Sequence, residues 1–325
     1  MLRDAPGADG DREEKSVSKA ELELVAEGLE FPEGPVAMSD GSVILVEIRR
    51  KTLTRVKPDG RVEVIAELGG GPNGAAIGPD GAVYVTNNGG FNWVTRPDGT
   101  LAPHGVPADY PGGSIQRVDL KTGKVTTLYT EGGGRALRGP NDLVFDAAGG
   151  FWFTDLGKAD DERMDIGHLY YAKPDGSMIV KARSGLMTPN GVGLSPDGRT
   201  VWVAETRTSR VWGFSITGPG QIGGSTDRFA AQHRVLGPLP GYQLLDSLAV
   251  EADGRVCVAT IANGGITVFN PQDGSFGHVA VPDAITTNIC FGGPDMRDAW
   301  ITASSTGRLY RRRWPRPGLK LHFNA

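Results

Sequence analysis

Six polar residues stand at equivalent places in six copies of one short motif, and together they could bind a metal ion. They are Glu33, Asn73, Asn141, Asn190, Asp246 and Asn288. Carboxylate and amide oxygens are the ligands that hard divalent cations prefer, Ca²⁺ above all. The set contains neither His nor Cys, which argues against a zinc site of the usual kind. If these side chains meet, we expect them to hold one divalent ion, with Ca²⁺ favoured and Mg²⁺, Mn²⁺, Zn²⁺ and Fe²⁺ as alternatives.

Each copy of the motif consists of the polar residue, an apolar run, a turn and a second apolar run. The turn position, seven residues after the polar residue, is Asp in five copies and Ala148 in the other. A single Pro-Asn-Gly or Asp-Gly is an ordinary turn signal in any protein. A register that is kept in six copies indicates a repeat instead. The copies read "PEGPVAMSDGSVILVE", "PNGAAIGPDGAVYVTN", "PNDLVFDAAGGFWFTD", "PNGVGLSPDGRTVWVAE", "LDSLAVEADGRVCVAT" and "TNICFGGPDMRDAWIT".

The repeat predicts an all-β fold. Each copy has the apolar arms and the tight turn of a β-hairpin. Further hairpins lie between copies and begin near Thr52, His168 and Gly265. Two hairpins make a four-stranded antiparallel sheet, and a spacing of about 51 residues is compatible with a propeller blade. We therefore predict a six-bladed β-propeller with four-stranded antiparallel blades around a central channel.

The propeller places the six polar residues together. The first strand of a blade is normally the innermost, so all six side chains should converge on one mouth of the channel. Glu33 and Asp246 would carry two negative charges, which a divalent cation would neutralise. About fourteen residues later each second strand returns to the same mouth. We therefore expect a further set of polar groups behind the ring: Glu47, Asn87, Asp155 and Glu205.

Two segments outside the repeat have predicted places. The stretch Glu21–Glu27 is expected to pair with residues 307–314 in the last blade and so close the ring. The interval between the second and third copies is long enough for one extra hairpin, and residues 88–113 are predicted to form a lid over one face. Asn88, Phe91 and Trp93 within it are candidates to line a substrate pocket.

Composition narrows the class of protein. The 325 residues contain 48 Gly and 22 Pro, which indicates many turns, and the net charge of −4 gives no reason to expect a nucleic-acid or membrane partner. Two cysteines cannot form a disulfide framework. We predict a disordered tail at 1–18 and one domain at 19–325. The start of the sequence lacks the apolar segment of a signal peptide, so we expect a cytoplasmic monomer or small homo-oligomer.

Several motifs of this chain, taken in order, resemble those of the senescence-marker-protein/gluconolactonase family, whose members include regucalcin and bacterial lactonases. The resemblance covers about residues 22 to 312. It implies a six-bladed propeller that hydrolyses sugar or small aliphatic lactones with one divalent metal in its channel. The motifs are "FPEGPV", "PNDLVFDAAGGFWFTDLG", "TPNGVGLSPDGRTVWVAE", "LDSLAVEADG" and "TTNICFGGPD".

The resemblance also implies roles for individual residues. Glu33 and Asn190 match metal ligands of the family, and Asp246 matches a ligand that also serves as the general base. Asn141 matches a contact to metal or substrate. A lactone carbonyl polarised by the metal would then be attacked by a water molecule whose proton passes to Asp246.

Substrate recognition is less defined by the resemblance. Asp142 looks like its counterpart in bacterial lactonases, and with Asn73 it is a predicted substrate contact. Relatives similar to regucalcin have an Arg two residues before the Asn that corresponds to Asn141. This chain has Gly139 at that position, and Arg138 is the nearest arginine. The ring is also compatible with hydrolysis of other esters or phosphotriesters. A propeller that only binds a protein or peptide is a further alternative, and a lyase of the strictosidine-synthase type would lack the metal ring.

Overall fold

The computed structural model describes residues 21–224 and 233–323. These residues contain no helix, and hence none long and apolar enough to cross a membrane. Their strands form six antiparallel sheets of at least four strands, together with two small two-stranded sheets. This architecture confirms the predicted six-bladed β-propeller. The predicted tail at 1–18 lies outside the described residues.

The strands of each blade run in order from the channel outward. Blade 1 contains Pro32–Ala37, Val43–Glu47, Thr52–Val56 and Val62–Glu67. Blade 2 contains Pro72–Ile77, Val83–Asn87, Ser114–Val118 and Val125–Tyr129. Blade 3 contains Pro140–Phe145, Phe151–Asp155, Gly167–Ala172 and Ile179–Leu186. Blade 4 contains Pro189–Leu194, Thr200–Glu205, Arg210–Gly218 and Arg234–Leu236, with Gln221–Ile222 also paired to its third strand. Blade 5 contains Leu244–Val250, Val256–Ile261, Gly265–Phe269 and Phe276–Ala280. Blade 6 contains Thr286–Gly292, Asp298–Ala303, Arg308–Arg313 and Glu23–Ala26.

The two ends of the propeller meet in blade 6. Its outermost strand, Glu23–Ala26, comes from the start of the described chain and pairs with Arg308–Arg313 near the end. Each innermost strand contacts the innermost strands of both neighbouring blades, so the ring is closed. Closure leaves no long unpaired sheet edge inside the molecule.

Packing between blades explains the composition of the innermost strands. In Pro32–Ala37, Pro72–Ile77, Pro140–Phe145 and Pro189–Leu194 every residue is buried, because both faces of the strand meet a neighbouring blade. Large side chains of the innermost and second strands fill the wedge between blades. Between blades 2 and 3, for example, the Tyr84 ring lies 5.1 Å from that of Phe145.

The long interval in blade 2 forms two extra hairpins. Trp93–Thr95 pairs with Leu101–Pro103, and Glu131–Gly132 pairs with Arg135–Ala136. The first hairpin is the one expected in the lid. The backbone N–H of Leu101 donates to the carbonyl oxygen of Ser305, at 3.0 Å, which ties the lid to blade 6.

Candidate active site

The ring residues stand where the innermost strands depart from regular pairing. The register shifts between Glu33 and Val36 in blade 1, and an equivalent shift occurs in each of the other five blades. A bulge of this kind interrupts the alternation of side chains and re-aims one residue. The bulges therefore let ring side chains point along the channel mouth while the following residues pack between blades.

Glycine after the ring residue lets the innermost strands approach closely. A Cβ atom on Gly191 would lie 2.5 Å from the backbone nitrogen of Leu248 in blade 5. One on Gly34, whose φ is 53°, would lie 2.7 Å from the backbone nitrogen of Ala75 in blade 2. These contacts are too short for any side chain, so the Gly that follows the ring residue in blades 1, 2 and 4 keeps the innermost strands close together.

Five of the six ring residues line one cavity at the channel mouth. The cavity has a volume of about 360 Å³ and reaches up to the lid. All six ring side chains are between 2% and 8% exposed. Asn288 lies outside this cavity, and its Nδ2 donates to Oε2 of Glu33 at 2.7 Å. The ring residues that line the cavity are Glu33, Asn73, Asn141, Asn190 and Asp246.

The acids of the ring repel one another in a buried setting. Burial, with a smaller contribution from the charge of Asp142, raises the pKa of Asp246 to about 8. Burial also raises the pKa of Glu33 well above its ordinary value, with a second contribution from the charge of Asp246. Each carboxyl group would favour its ionised form if a cation stood between them.

The amides of the ring offer oxygen atoms to the same space. Oδ1 of Asn141 is buried and has no hydrogen-bond partner among the described residues. Nδ2 of Asn190 donates to the hydroxyl oxygen of Thr206 at 3.2 Å, and Oδ1 of Asn190 accepts only a long bond from Ser247, at 3.4 Å. A buried carbonyl oxygen without a donor is costly, so its presence fits a site for a cation.

The oxygen donors of the ring suit a hard cation, although they do not form a cluster of charged side chains. Within residues 21–224 and 233–323, no group of three or more His, Cys, Asp or Glu side chains is arranged to hold a metal ion. The ring supplies two carboxylates together with neutral amide oxygens, which suits Ca²⁺ or a similar ion better than zinc.

Three predicted substrate contacts lie outside the cavity wall. Asp142 faces a smaller cavity further along the channel, and its Oδ1 accepts a hydrogen bond from the backbone N–H of Leu143 at 2.8 Å. Asn88 lies at the start of the lid, where its Oδ1 accepts a hydrogen bond from the backbone N–H of Gly90 at 2.8 Å. Trp93 packs against Phe31, with ring centroids 5.0 Å apart. Phe31 itself lines the cavity, so Trp93 supports the wall from behind.

The wall of the cavity includes Phe91, as predicted, and one residue that the sequence did not single out. Lys158 lines the cavity and is 6% exposed, with Nζ 4.2 Å from the ring centroid of Phe91. It follows the second strand of blade 3, which returns to the channel mouth. The return of this strand to the channel mouth is the sequence signal that could have identified Lys158 as a residue of the cavity wall. Arg138 does not line the cavity, and its Nε instead donates to Oδ2 of Asp165 at 3.1 Å.

The polar residues expected behind the ring pair with the residues that precede the ring residues, and their side chains bind backbone groups. Both carboxyl oxygens of Asp155 accept backbone N–H groups, from Gly139 at 2.6 Å and from Arg138 at 2.9 Å. Glu47 accepts the backbone N–H of Glu30, and Glu205 that of Met187, each at 2.7 Å. Asn87 acts in the same way in blade 2. These side chains fix the loops that lead into the innermost strands, and thus position the ring residues indirectly.

Comparison with known proteins agrees with this geometry. A family model described as "SMP-30/Gluconolactonase/LRE-like region" matches residues 31–305. The chain belongs to this family. A gluconolactonase of Zymomonas mobilis is 26% identical over 297 residues, spanning 83% of this chain and 76% of the relative. A lactonase drp35 of Staphylococcus saprophyticus is 28% identical over 268 residues, spanning 80% and 72%.

A solved structure shares the fold. The structure of a calcium-binding protein, regucalcin, from Agrobacterium tumefaciens aligns over 93% of this chain and 98% of its own, with a TM-score of 0.68 and 17% identity. The likeness to this structure shows the fold, and the family model that matches residues 31–305 confirms the family expected from the sequence motifs.

Proposed function

We propose that this protein is a metal-dependent lactonase whose active site is the cavity beneath the lid. The observation that carries the proposal is the convergence of Glu33, Asn141, Asn190 and Asp246 on one buried space, with the Asn141 carbonyl oxygen left without a donor. Relatives of the same family that are named gluconolactonase and lactonase support lactone hydrolysis as the reaction.

These four residues would hold the divalent ion. Ca²⁺ is the first candidate because the ligands are oxygen atoms and because the regucalcin structure is that of a calcium-binding protein. When bound, the ion would polarise the lactone carbonyl and stabilise the negative charge that develops on its oxygen.

The chain's own side chains would carry the remaining chemistry. Asp246 accepts the proton of the water molecule that attacks the carbonyl carbon, since it is one of the two carboxylates that line the cavity and Glu33 is already bonded to Asn288. Asn73, on the cavity wall, orients the substrate by hydrogen bonding. The lid excludes bulk water, which strengthens each of these interactions.

A lactone panel tests the proposal directly. Protein stripped with EDTA is assayed on aldonolactones, γ-butyrolactones and dihydrocoumarin, with Ca²⁺, Mg²⁺, Mn²⁺, Zn²⁺ or Fe²⁺ restored in turn. We expect no turnover without metal and turnover of at least one lactone with metal. Aryl esters and a phosphotriester are included, because turnover of those alone would assign the site to a different hydrolase. No turnover of any substrate, with no tight metal binding by calorimetry, would favour a binding propeller.

Replacement of the base provides the second test. Asp246→Asn keeps the shape of the side chain and removes the proton acceptor, so kcat is expected to fall by about 100-fold or more. Asp175→Asn is the matched control, since Asp175 lies in an exposed turn and bonds Ser177. Full lactonase activity in Asp246→Asn would contradict the assigned role.

A further inference from the structure

Lys158 is a buried cation that the proposed reaction does not use. Its Nζ donates to the carbonyl oxygen of Gly90 at 2.9 Å and lies 3.3 Å from Oδ1 of Asn88. An ammonium group has three donor hydrogens, and within residues 21–224 and 233–323 these two oxygen acceptors leave one hydrogen without a protein oxygen or nitrogen to bind. The side chain lines the cavity, and that hydrogen is therefore available to a ligand.

The charge of Lys158 is not balanced by an acid. Among the described residues, no carboxylate lies within ion-pair distance of its Nζ. Its acceptors are neutral, and the rings of Phe91 and Tyr110 lie 4.2 and 5.2 Å from it. Asp155 is close enough to interact electrostatically with Lys158. Its carboxylate, however, already accepts hydrogen bonds from three backbone N–H groups. Burial lowers the pKa of Lys158 to about 7. An anion in the cavity would offset this cost.

The rest of the wall favours the same kind of ligand. Arg96 and Arg207 also line the cavity, both exposed, and could attract an anion to its opening. The acids of the ring lie at the floor, where a divalent ion would neutralise them. Between floor and opening the wall is largely hydrophobic. It includes Phe31, Ile48, Phe91, Leu156, Ile261 and Ile285.

We propose that the preferred substrate is a lactone with a largely apolar ring system and one carboxylate, and that Lys158 binds that carboxylate. This inference rests on the proposed lactonase function. A polyhydroxylated sugar lactone fits less well, because Asn73, Thr188, Thr206 and Thr287 offer partners to some of its hydroxyl groups while the others would be desolvated against hydrophobic residues. A single carboxylate would instead complete the third hydrogen bond of Lys158 and pair with its charge.

A matched pair of substrates tests the assignment. The γ-butyrolactone that carries a carboxylate at its γ carbon is compared with the same lactone bearing a neutral carboxamide there. In metal-loaded wild-type protein we expect kcat/KM to be at least tenfold higher for the carboxylate. In Lys158→Met the ratio is expected to fall to about one, mainly through KM of the carboxylate. Lys158→Arg should retain part of the preference, and Lys124→Met, at an exposed position, should retain all of it.

The outcomes distinguish failure of this inference from failure of the proposed lactonase function. An equal loss on both substrates in Lys158→Met would show that Lys158 only anchors the lid, and would overturn the proposal. A wild-type enzyme with no preference for the carboxylate substrate would also overturn the proposal. If the wild type hydrolyses no lactone, the proposed function fails, and calorimetric titration with hydrocinnamate then decides the anion site alone. Binding that is at least tenfold weaker in Lys158→Met supports the site, and equal or absent binding in the two proteins refutes it.

Discussion

At the scale of single residues, the cavity collects polar groups that the rest of the protein leaves incompletely paired. Oδ1 of Asn141 has no hydrogen-bond donor in the part of the chain that the structure describes, and the buried Glu33 is exposed to the charge of Asp246. Asp155 and Glu47, which are also buried, are by contrast paired with backbone N–H groups. Such a contrast is typical of a site that sacrifices stability for ligand binding.

In the metal-free protein, the titration of Asp246 should make this loss of stability measurable. Its pKa in the folded state is about 8, against an ordinary value near 3.8, so between these pH values the folded state binds the extra proton. The free energy of unfolding therefore falls as pH rises through this window. Asp246→Asn removes the titration. In EDTA, we expect its Tm to exceed that of wild type by a few degrees at pH 8 and by much less at pH 5.

Differential scanning calorimetry of the two proteins at both pH values measures this difference. Because the same histidines titrate in both, their contributions cancel in the comparison. A variant that melts below the wild type at pH 8 would contradict the account of the charges. With saturating Ca²⁺ the order should reverse, since only the wild type gains the full binding free energy.

At the scale of strands, the motif is a device for bringing innermost strands together. The polar residue occupies the bulge, and the Gly that follows permits backbone contact with the next blade. A hydroxyl on the second strand then fixes the neighbour: Oγ1 of Thr86 donates to the carbonyl oxygen of Asn141, and that of Thr154 to the carbonyl oxygen of Asn190, each at 2.5 Å.

Gly191→Ala should destabilise the propeller. The added methyl group would lie 2.5 Å from the backbone nitrogen of Leu248, and the two strands would have to separate. We expect a loss of about 1–3 kcal/mol in the free energy of unfolding, measured by urea titration. Gly277→Ala is the control, because a Cβ atom there meets nothing within 4 Å. Equal stability of the two variants would contradict the close approach.

The lid should affect activity more than stability. Its hairpin belongs to none of the six blades, and Trp93 supports Phe31 at the cavity wall. Trp93→Ala is expected to lower kcat/KM on the best lactone about tenfold, because a displaced wall misplaces the substrate. Tm should change by no more than a few degrees. Val94→Ala, on an exposed neighbour, should leave both quantities unchanged. A large fall in Tm with intact kcat/KM would refute this role.

At the scale of the whole molecule, stability depends on closure of the ring in blade 6. The strand Glu23–Ala26 is the one element that joins the two ends of the described chain within a single sheet. Glu23 lies opposite Arg311, and their side chains form an exposed ion pair at 2.8 Å. Such a pair contributes little, so the backbone pairing and the packing of Ala26 carry most of the closure.

A disulfide across this seam should stabilise the protein. Glu23→Cys combined with Arg311→Cys places two cysteines at paired positions of an antiparallel ladder. Oxidation would close a loop of nearly the whole chain and should raise the free energy of unfolding by up to about 4 kcal/mol. The midpoint of denaturation is compared with and without reductant. An unchanged midpoint in the oxidised protein would mean that this strand separates only after the rest of the propeller has unfolded.

The sequence predicts much of this molecule because its main signals are local. Alternating apolar arms and Asp-Gly turns depend on neighbouring residues, and repetition fixes the number of blades. The ring positions follow from that register, and five of them line the predicted cavity. The same reasoning expected Glu47 and Asp155 near the ring, and they pair with Pro32 and Pro140; the sequence does not show which hydrogen bonds the last residue of a strand makes.

The amino-acid sequence alone determined the blades, the ring and the oxygen-donor character of its side chains, because each rests on a pattern within one repeat. Only the tertiary structure decided which polar residues lack partners and what stands above the ring. Asp142 turned out to lie further along the channel, and Lys158 to face the cavity beneath Asn88 and Phe91. Both positions depend on contacts between blades and lid, which are far apart in the chain, and no local sequence pattern predicts such contacts.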